Sequence, residues 1–202
     1  MDNEELEILE PATPRGKLRS KILSAIISFL IVVVLAVIAA TLVKRYYTVT
    51  FYVNGSSMVP TLDGGDPQIK DDGDKLILWK NPNIKRGDIV VFRRAEDDYA
   101  LVKRVIAIGG DTVKLEPTET GVNIYINGKL LDEPYINEPM DKDRIDNNQT
   151  VTVSEGAIFC MGDNRNNSSD SRAFGEVQVS DVIGKVLLII DAETNDISFP
   201  KK

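Results

Sequence analysis

The apolar residues of this chain fall into two textures. Between Lys21 and Lys44 lie 22 residues without a charge, ILSAIISFLIVVVLAVIAATLV. At about 1.5 Å rise per residue such a run covers the roughly 30 Å hydrocarbon layer, which predicts a transmembrane helix over 22–43. A secretory signal peptide is the competing reading. Its apolar core usually runs about 7 to 15 residues, however, and this run ends on a Lys-Arg pair. From residue 46 onward the apolar positions come in short runs instead: TVTFYV, KLILW, DIVVF, ALVKRVIAI, DTVKL, NIYI, TVTV, AIFCM and KVLLII, separated by Gly, Pro, Asn and Asp. Runs rich in Val and Ile with such punctuation predict strands. Asn127-Gly128, between NIYI and KLL, predicts a two-residue hairpin turn. No long amphipathic helix is visible after the span. The predicted fold is therefore mostly β, an N-terminal transmembrane helix followed by one all-β domain over 46–202. Within it, about 117–155 reads as a smaller insertion or second β subdomain, and the polar stretch DEPYINEPMDKDRIDNNQT as a surface excursion.

Charge orients the span. Arg15, Lys17, Arg19 and Lys21 precede it and only Lys44 and Arg45 follow closely. The positive-inside bias thus predicts a single-pass protein of the cell membrane, with 1–20 as a cytoplasmic tail and everything after Tyr46 outside. The leading MDNEELEILEPATP is acidic and aperiodic, and reads as disordered. Residues 46–202 carry 18 Lys and Arg against 26 Asp and Glu, part of a net charge of −7. Such a domain repels phosphates, so nucleic acid is not an expected partner.

Composition then narrows the chemistry. The 202 residues include no histidine and one cysteine, Cys160. A Ser-His-Asp triad, a His/Cys metal site and an intrachain disulfide are thereby excluded, and Cys160, inside AIFCMG, reads as core. Acid–base work near neutral pH falls to carboxylates, tyrosine or a lysine of lowered pKa.

Three segments bear on that. VNGSSMVPTL, residues 53–62, presents two serines beside a Met-x-Pro. Lys103 sits in LVKRVIAI, where period-2 alternation groups it with Leu101, Val105 and Ala107 and sends Arg104 to the other side. An apolar face disfavours an ammonium, and bringing a free lysine near neutrality costs about 4 kcal/mol. An edge lysine that snorkels to water is the alternative. The third segment, GDNRNNSSDSR at 162–172, is polar throughout. As a calcium loop counted from Asp163 it fails, because Arg165 falls on a ligand position and Ser168 where the turn glycine belongs. It reads instead as a loop held by its own Asp–Arg pairs.

Read in order, these segments resemble the type I signal peptidases of bacteria, membrane-anchored serine proteases that cut signal peptides from exported proteins. The resemblance rests on SMVPTL, RGDIVVF at 86–92, VKRVIAIGGD and GDNRNNSSDSR, and spans roughly residues 20–190. It implies Ser57 as nucleophile and Lys103 as general base. It further implies Ser168 as the residue that orients the lysine, and Asp170, Arg172, Asp163 and Arg104 as supporting groups. Gly55, Ser56, Met58 and Pro60 then surround the oxyanion or substrate. Gly55 stands where larger members carry a serine that assists the oxyanion hole, which leaves the Ser57 N–H as the donor. Single-span forms from Gram-positive bacteria also have glycine there. Gly109 stands where many members have proline. The implied partners are secretory preproteins with small residues at −3 and −1 and the lipid bilayer; neither cofactor nor metal is implied.

Rival readings rest on less. Arg86-Gly87-Asp88 suggests a membrane-tethered adhesion or binding module without catalysis, yet the tripeptide opens directly into the apolar IVVF, as a turn before a strand does. A self-cleaving Ser-Lys protease of the SOS-repressor kind is soluble, which the span opposes. Ser198-Phe199-Pro200-Lys201 spells Ser-x-x-Lys without the Lys-Thr-Gly partner of penicillin-binding enzymes.

Overall fold

A computed structural model describes residues 14–66, 68–80, 82–145 and 149–201, with side chains from residue 19. Residues 1–13, most of the expected tail, lie outside the described residues. The chain forms two compact units, Met1–Tyr46 and Tyr47–Lys202.

Helix α1, Pro14–Tyr47, contains the whole uncharged run and extends beyond it at both ends. Its span, Arg19–Tyr47, has a mean hydropathy of 3.2 in its most apolar window, none of it buried. A helix apolar on every side suits hydrocarbon surroundings, because each backbone N–H and C=O is satisfied within the helix itself.

The second unit is built from two antiparallel sheets. The larger joins β1 (Thr48–Tyr52), β2 (Lys75–Trp79), β3 (Ile89–Phe92) and β4 (Leu101–Ile108) with later strands. The smaller uses β5 (Thr112–Pro117), β6 (Val122–Ile126), β7 (Lys129–Leu130) and β8 (Gln149–Thr152) in the order β7-β6-β5-β8. The chain then returns to the larger sheet through β9 (Ala157–Met161), β10 (Val177–Gln178), β11 (Val182–Ile190) and β12 (Ile197–Ser198). Its order is β1-β2-β11-β3-β4-β9-β10, with β12 on β11. All nine apolar runs form strands. β7, β10 and β12 are two-residue additions too short to leave a periodic signal, and the four-residue helix α2, Ser171–Phe174, interrupts a stretch that reads as loop. Asn127 and Gly128 take φ of 51° and 78°, the positive pair the hairpin between β6 and β7 demands.

Both faces of the larger sheet are covered. Ile89 and Val91 of β3 pack with Val53, Met58, Leu62, Leu76 and Val102, while Val90 and Phe92 pack with Val105, Ile158 and Cys160. This is why IVVF is apolar at every position instead of alternating. Residues of the smaller sheet, such as Val113, Leu115 and Ile124, pack on Ala107, Phe159 and Met161.

One expectation about β4 is corrected. The pairing with β9 shifts register between Val105 and Ala107, so Ala107 joins the cluster under the smaller sheet and parts from Val105. A bulge inserts a residue and resets the alternation beyond it.

Candidate active site

Strand β4 delivers two consecutive buried cations. Lys103 is 2% exposed and Arg104 0%, and they pair across the sheet with Val90 and Ile89 respectively. Lys103 Nζ donates to Ser57 Oγ at 2.7 Å and to the Val102 carbonyl at 2.8 Å. Burial pushes the Lys103 pKa down to about 8, against a smaller upward pull from Asp170, Cys160 and Asp163. The amine is the buried end of its side chain, not a snorkelling head.

The turn carrying Ser57 is anchored on both sides. Met58 and Leu62 are buried, and the Met58 carbonyl accepts from Thr61 N at 2.8 Å and Leu62 N at 3.0 Å. Asn164 N donates to the Ser57 carbonyl at 3.1 Å, Asn164 Nδ2 to the Ser56 carbonyl at 3.0 Å, and Asn167 Nδ2 to Ser56 Oγ at 2.8 Å. The polar 162–172 loop therefore staples the serine turn in place. Gly162 shows how closely: a Cβ there would run into the Ser57 carbonyl and Ser168 Oγ. Pro60 is exposed at the rim of the turn, and Gly55, with φ of 87°, stands where a side chain brings strain.

Two buried ion pairs flank the dyad. Arg104 grips Asp163 through Nε and Nη2, at 2.8 and 2.7 Å, and Thr61 Oγ1 donates to the same carboxylate at 2.5 Å. Arg172 grips Asp170 at 2.8 Å through each of Nε and Nη2, and Asp170 also accepts from Gly162 N at 3.0 Å. Burial alone raises the Asp170 carboxyl; its Arg172 and backbone partners outweigh that and hold it below the usual range.

The structure differs from expectation at Ser168. Its hydroxyl is buried and has no hydrogen-bond partner of ordinary geometry among the described residues, although it sits near enough to help lower Asp170. The contacts that fix the Lys103 amine are those to Ser57 and Val102. The 162–172 loop also departs from the picture of internal Asp–Arg pairs: only Asp170–Arg172 is internal, Asp163 pairs with Arg104 of β4, and Arg165 pairs with Glu133.

Several contributors escape a reading of the sequence. Asp74 is buried and accepts from Asp63 N at 2.9 Å and Ala192 N at 3.1 Å, while its own carbonyl takes Val53 N, so it ties together both ends of the serine loop. Tyr135 lays its ring 3.9 Å from the Arg104 guanidinium carbon. Neither stands in an apolar or periodic run, and only the bare fact of an aromatic in a polar excursion marks Tyr135. The Arg86-Gly87-Asp88 tripeptide is tied to the fold: Arg86, though exposed, pairs with Asp111, and Asp88, 7% exposed, takes Lys85 N at 2.8 Å and lies 3.3 Å from Lys185. An adhesive loop needs those groups free.

A groove of about 550 Å³ opens onto the dyad, lined by Phe51, Asn54, Ser57, Tyr99, Ala100, Leu101, Val102 and Lys103.

A serine of intermediate exposure bonded to a buried amine of lowered pKa, beside an open groove, can do the chemistry of a nucleophile and its base without histidine. Comparison with known proteins gives the family. Residues 26–190 match the family described as signal peptidase, peptidase S26. The chain is 32% identical over 160 residues to signal peptidase IB of Staphylococcus aureus, covering 72% of this chain and 78% of that one. It is 38% identical over 148 residues to signal peptidase I of Bacillus caldolyticus, covering 67% and 75%. A crystal structure of a signal peptidase I from Enterococcus faecalis V583 aligns with 52% of this chain and 97% of its own, at 31% identity and a TM-score of 0.43. The chain belongs to the signal peptidase family, peptidase S26. It is a hydrolase of signal-peptide processing, and its apolar amino-terminal helix fits a single-pass membrane anchor.

Proposed function

We propose that the chain cleaves preproteins by a Ser57–Lys103 dyad, after sites with small residues at −3 and −1, on the outer side of the membrane. The single observation that carries this reading is the 2.7 Å contact between Lys103 Nζ and Ser57 Oγ. With the amine neutral, the same separation lets Nζ accept the Oγ proton as the oxygen attacks the scissile carbonyl. The Ser57–acyl ester then holds the fragment amino-terminal to the cut, the leaving amine takes the proton from Lys103, and water, deprotonated by Lys103, attacks the ester and releases that fragment as Lys103 returns the proton to Ser57 Oγ.

The Ser57 N–H, which no protein acceptor takes among the described residues, is the oxyanion donor of this reading. Asp163, Arg104, Asp170 and Arg172 act through position: each carboxylate near the lysine is held by its own guanidinium and so pulls less on the amine. The role of Ser168 in this reading is to pack against Gly162 beside the Ser57 carbonyl. The groove favours small side chains because its walls are Phe51, Tyr99, Leu101 and Val102. The excess of cations before the span supports a cytoplasmic amino terminus and an external Tyr47–Lys202 unit.

The test is the intact mass of a model preprotein incubated with the full chain in detergent. Cleavage directly after small-x-small is expected, and Ser57→Ala and Lys103→Ala are each expected to lose at least about 1,000-fold in kcat. Parent-rate cleavage by either variant refutes the dyad.

A further inference from the structure

We propose that Tyr135 is a positioning residue for the dyad, holding Arg104 and, through it, the Ser57 turn; the inference rests on the Ser57–Lys103 reading. Arg104 uses its in-plane donors fully: Asp163 takes Nε and Nη2, Nη2 also points to Thr61 Oγ1 at 3.5 Å, and Nη1 donates to the Gly87 carbonyl at 3.0 Å and the Lys201 carbonyl at 2.7 Å. The sides left are the two flat faces of the guanidinium, and the Tyr135 ring lies over one at 3.9 Å. A ring over a desolvated guanidinium attracts it electrostatically and shuts out water.

From Arg104 the contacts run without a gap to the nucleophile. Asp163 accepts from Thr61 Oγ1, and Thr61 N closes the turn on the Met58 carbonyl. Asn164, the residue after Asp163, holds the Ser57 carbonyl. Tyr135 itself is anchored. Glu133, two residues before, takes both terminal nitrogens of Arg165, whose Nε donates to the Gly162 carbonyl at 3.1 Å. The segment between β7 and β8 of the smaller sheet thus clamps two arginines, each tied to the serine turn by its own contacts.

The ring also helps line a cavity of about 400 Å³, with Pro60, Thr61, Ile189 and Phe199, whose lining does not include Arg104 or Asp163. Removing the ring lets water from that cavity reach the ion pair. A loosened pair frees the turn, and it leaves the Asp163 charge less neutralised beside Lys103. The groups that face the lysine are Asp163, Asp170 held by Arg172, and the Cys160 thiol. Of these only Asp163 depends on Arg104, so loosening it raises the lysine.

Tyr135→Leu keeps an apolar side chain and removes the ring. It is expected to lower kcat about tenfold with KM within twofold, as small displacements of reacting groups do, and to move the acid limb of the pH–rate profile upward by about half a pH unit. Tyr135→Phe keeps the ring and loses only the 3.2 Å bond from its hydroxyl to Glu133 Oε1, and is expected to retain the parent profile and kcat within about twofold. Thermal melts and soluble yield give the folded fraction of each variant. The proposal is overturned if Tyr135→Leu matches the parent, if its loss vanishes once corrected for folded fraction, or if Tyr135→Phe falls as far as Leu. Titration of Lys103 by NMR of side-chain-labelled lysine in the full chain reads the same upward movement without turnover. Failure of preprotein cleavage by the parent therefore sinks the dyad while leaving the effect of Tyr135 on Lys103 measurable in its own right.

Discussion

Lys103 and Arg104 are neighbours on one strand, equally hidden from water, and their surroundings have opposite consequences. Around Arg104 every in-plane donor meets an oxygen and a carboxylate cancels the charge. Around Lys103 there is a serine hydroxyl, one carbonyl and an apolar wall, with no carboxylate in hydrogen-bond contact among the described residues. Burial with a counter-charge locks a cation in place; burial without one makes the proton easy to lose. The same strand thus holds a structural rivet and, in the proposed mechanism, a base, and alternation sends them to different sides.

Substitution by a methionine at each position separates the two. Arg104→Met leaves Asp163 buried and unpaired, and is expected to cost about 3–5 kcal/mol in denaturant unfolding of the full chain. Little or no loss there removes the contrast. Lys103→Met is expected to act in the opposite direction, inactive yet more stable than the parent at pH 7 by up to about 3 kcal/mol, because the folded state no longer buries an ammonium. Below pH about 8 the amine is protonated in both folded and unfolded chains and the folded state bears the full penalty. Between about 8 and the ordinary lysine value only the unfolded chain keeps the proton, so parent stability rises with pH across that window and the Met variant lacks that rise.

The same proton governs turnover. Cleavage is expected to rise about tenfold per pH unit below about 8 and to level off above it, as the neutral amine becomes the dominant form. A profile that climbs only near 10 contradicts a desolvated base. The smallest effect is at Ser56, exposed and bonded to Asn167: Ser56→Ala is expected to lower the rate no more than about threefold, against the loss from Ser57→Ala one residue on.

Much of this was legible in the chain. The uncharged run and the Val/Ile-rich runs are local signals, and each became the helix or strand it predicted, since burial on one or both faces needs those residues wherever the strand sits. Lys103 stood out for the same reason, a charge in a run that must be buried. What escaped were partners distant along the chain. Asp163 reads as a member of its own loop but pairs with a residue 59 positions away. Glu133 and Tyr135 look like ordinary polar-loop residues until the return from the smaller sheet brings them over two arginines.

The amino-acid order by itself determined which segments cross hydrocarbon, which pair as strands and which chemistry is excluded, because histidine count, hydropathy and period are properties of a chain before it folds. Tertiary structure alone decided that Ser57 meets Lys103, that the Ala107 side of β4 slips by a bulge, and that one buried cation is paired while its neighbour is not. Those outcomes depend on distances between segments far apart in sequence, and the energy of a buried charge is set by what lies within a few ångströms of it.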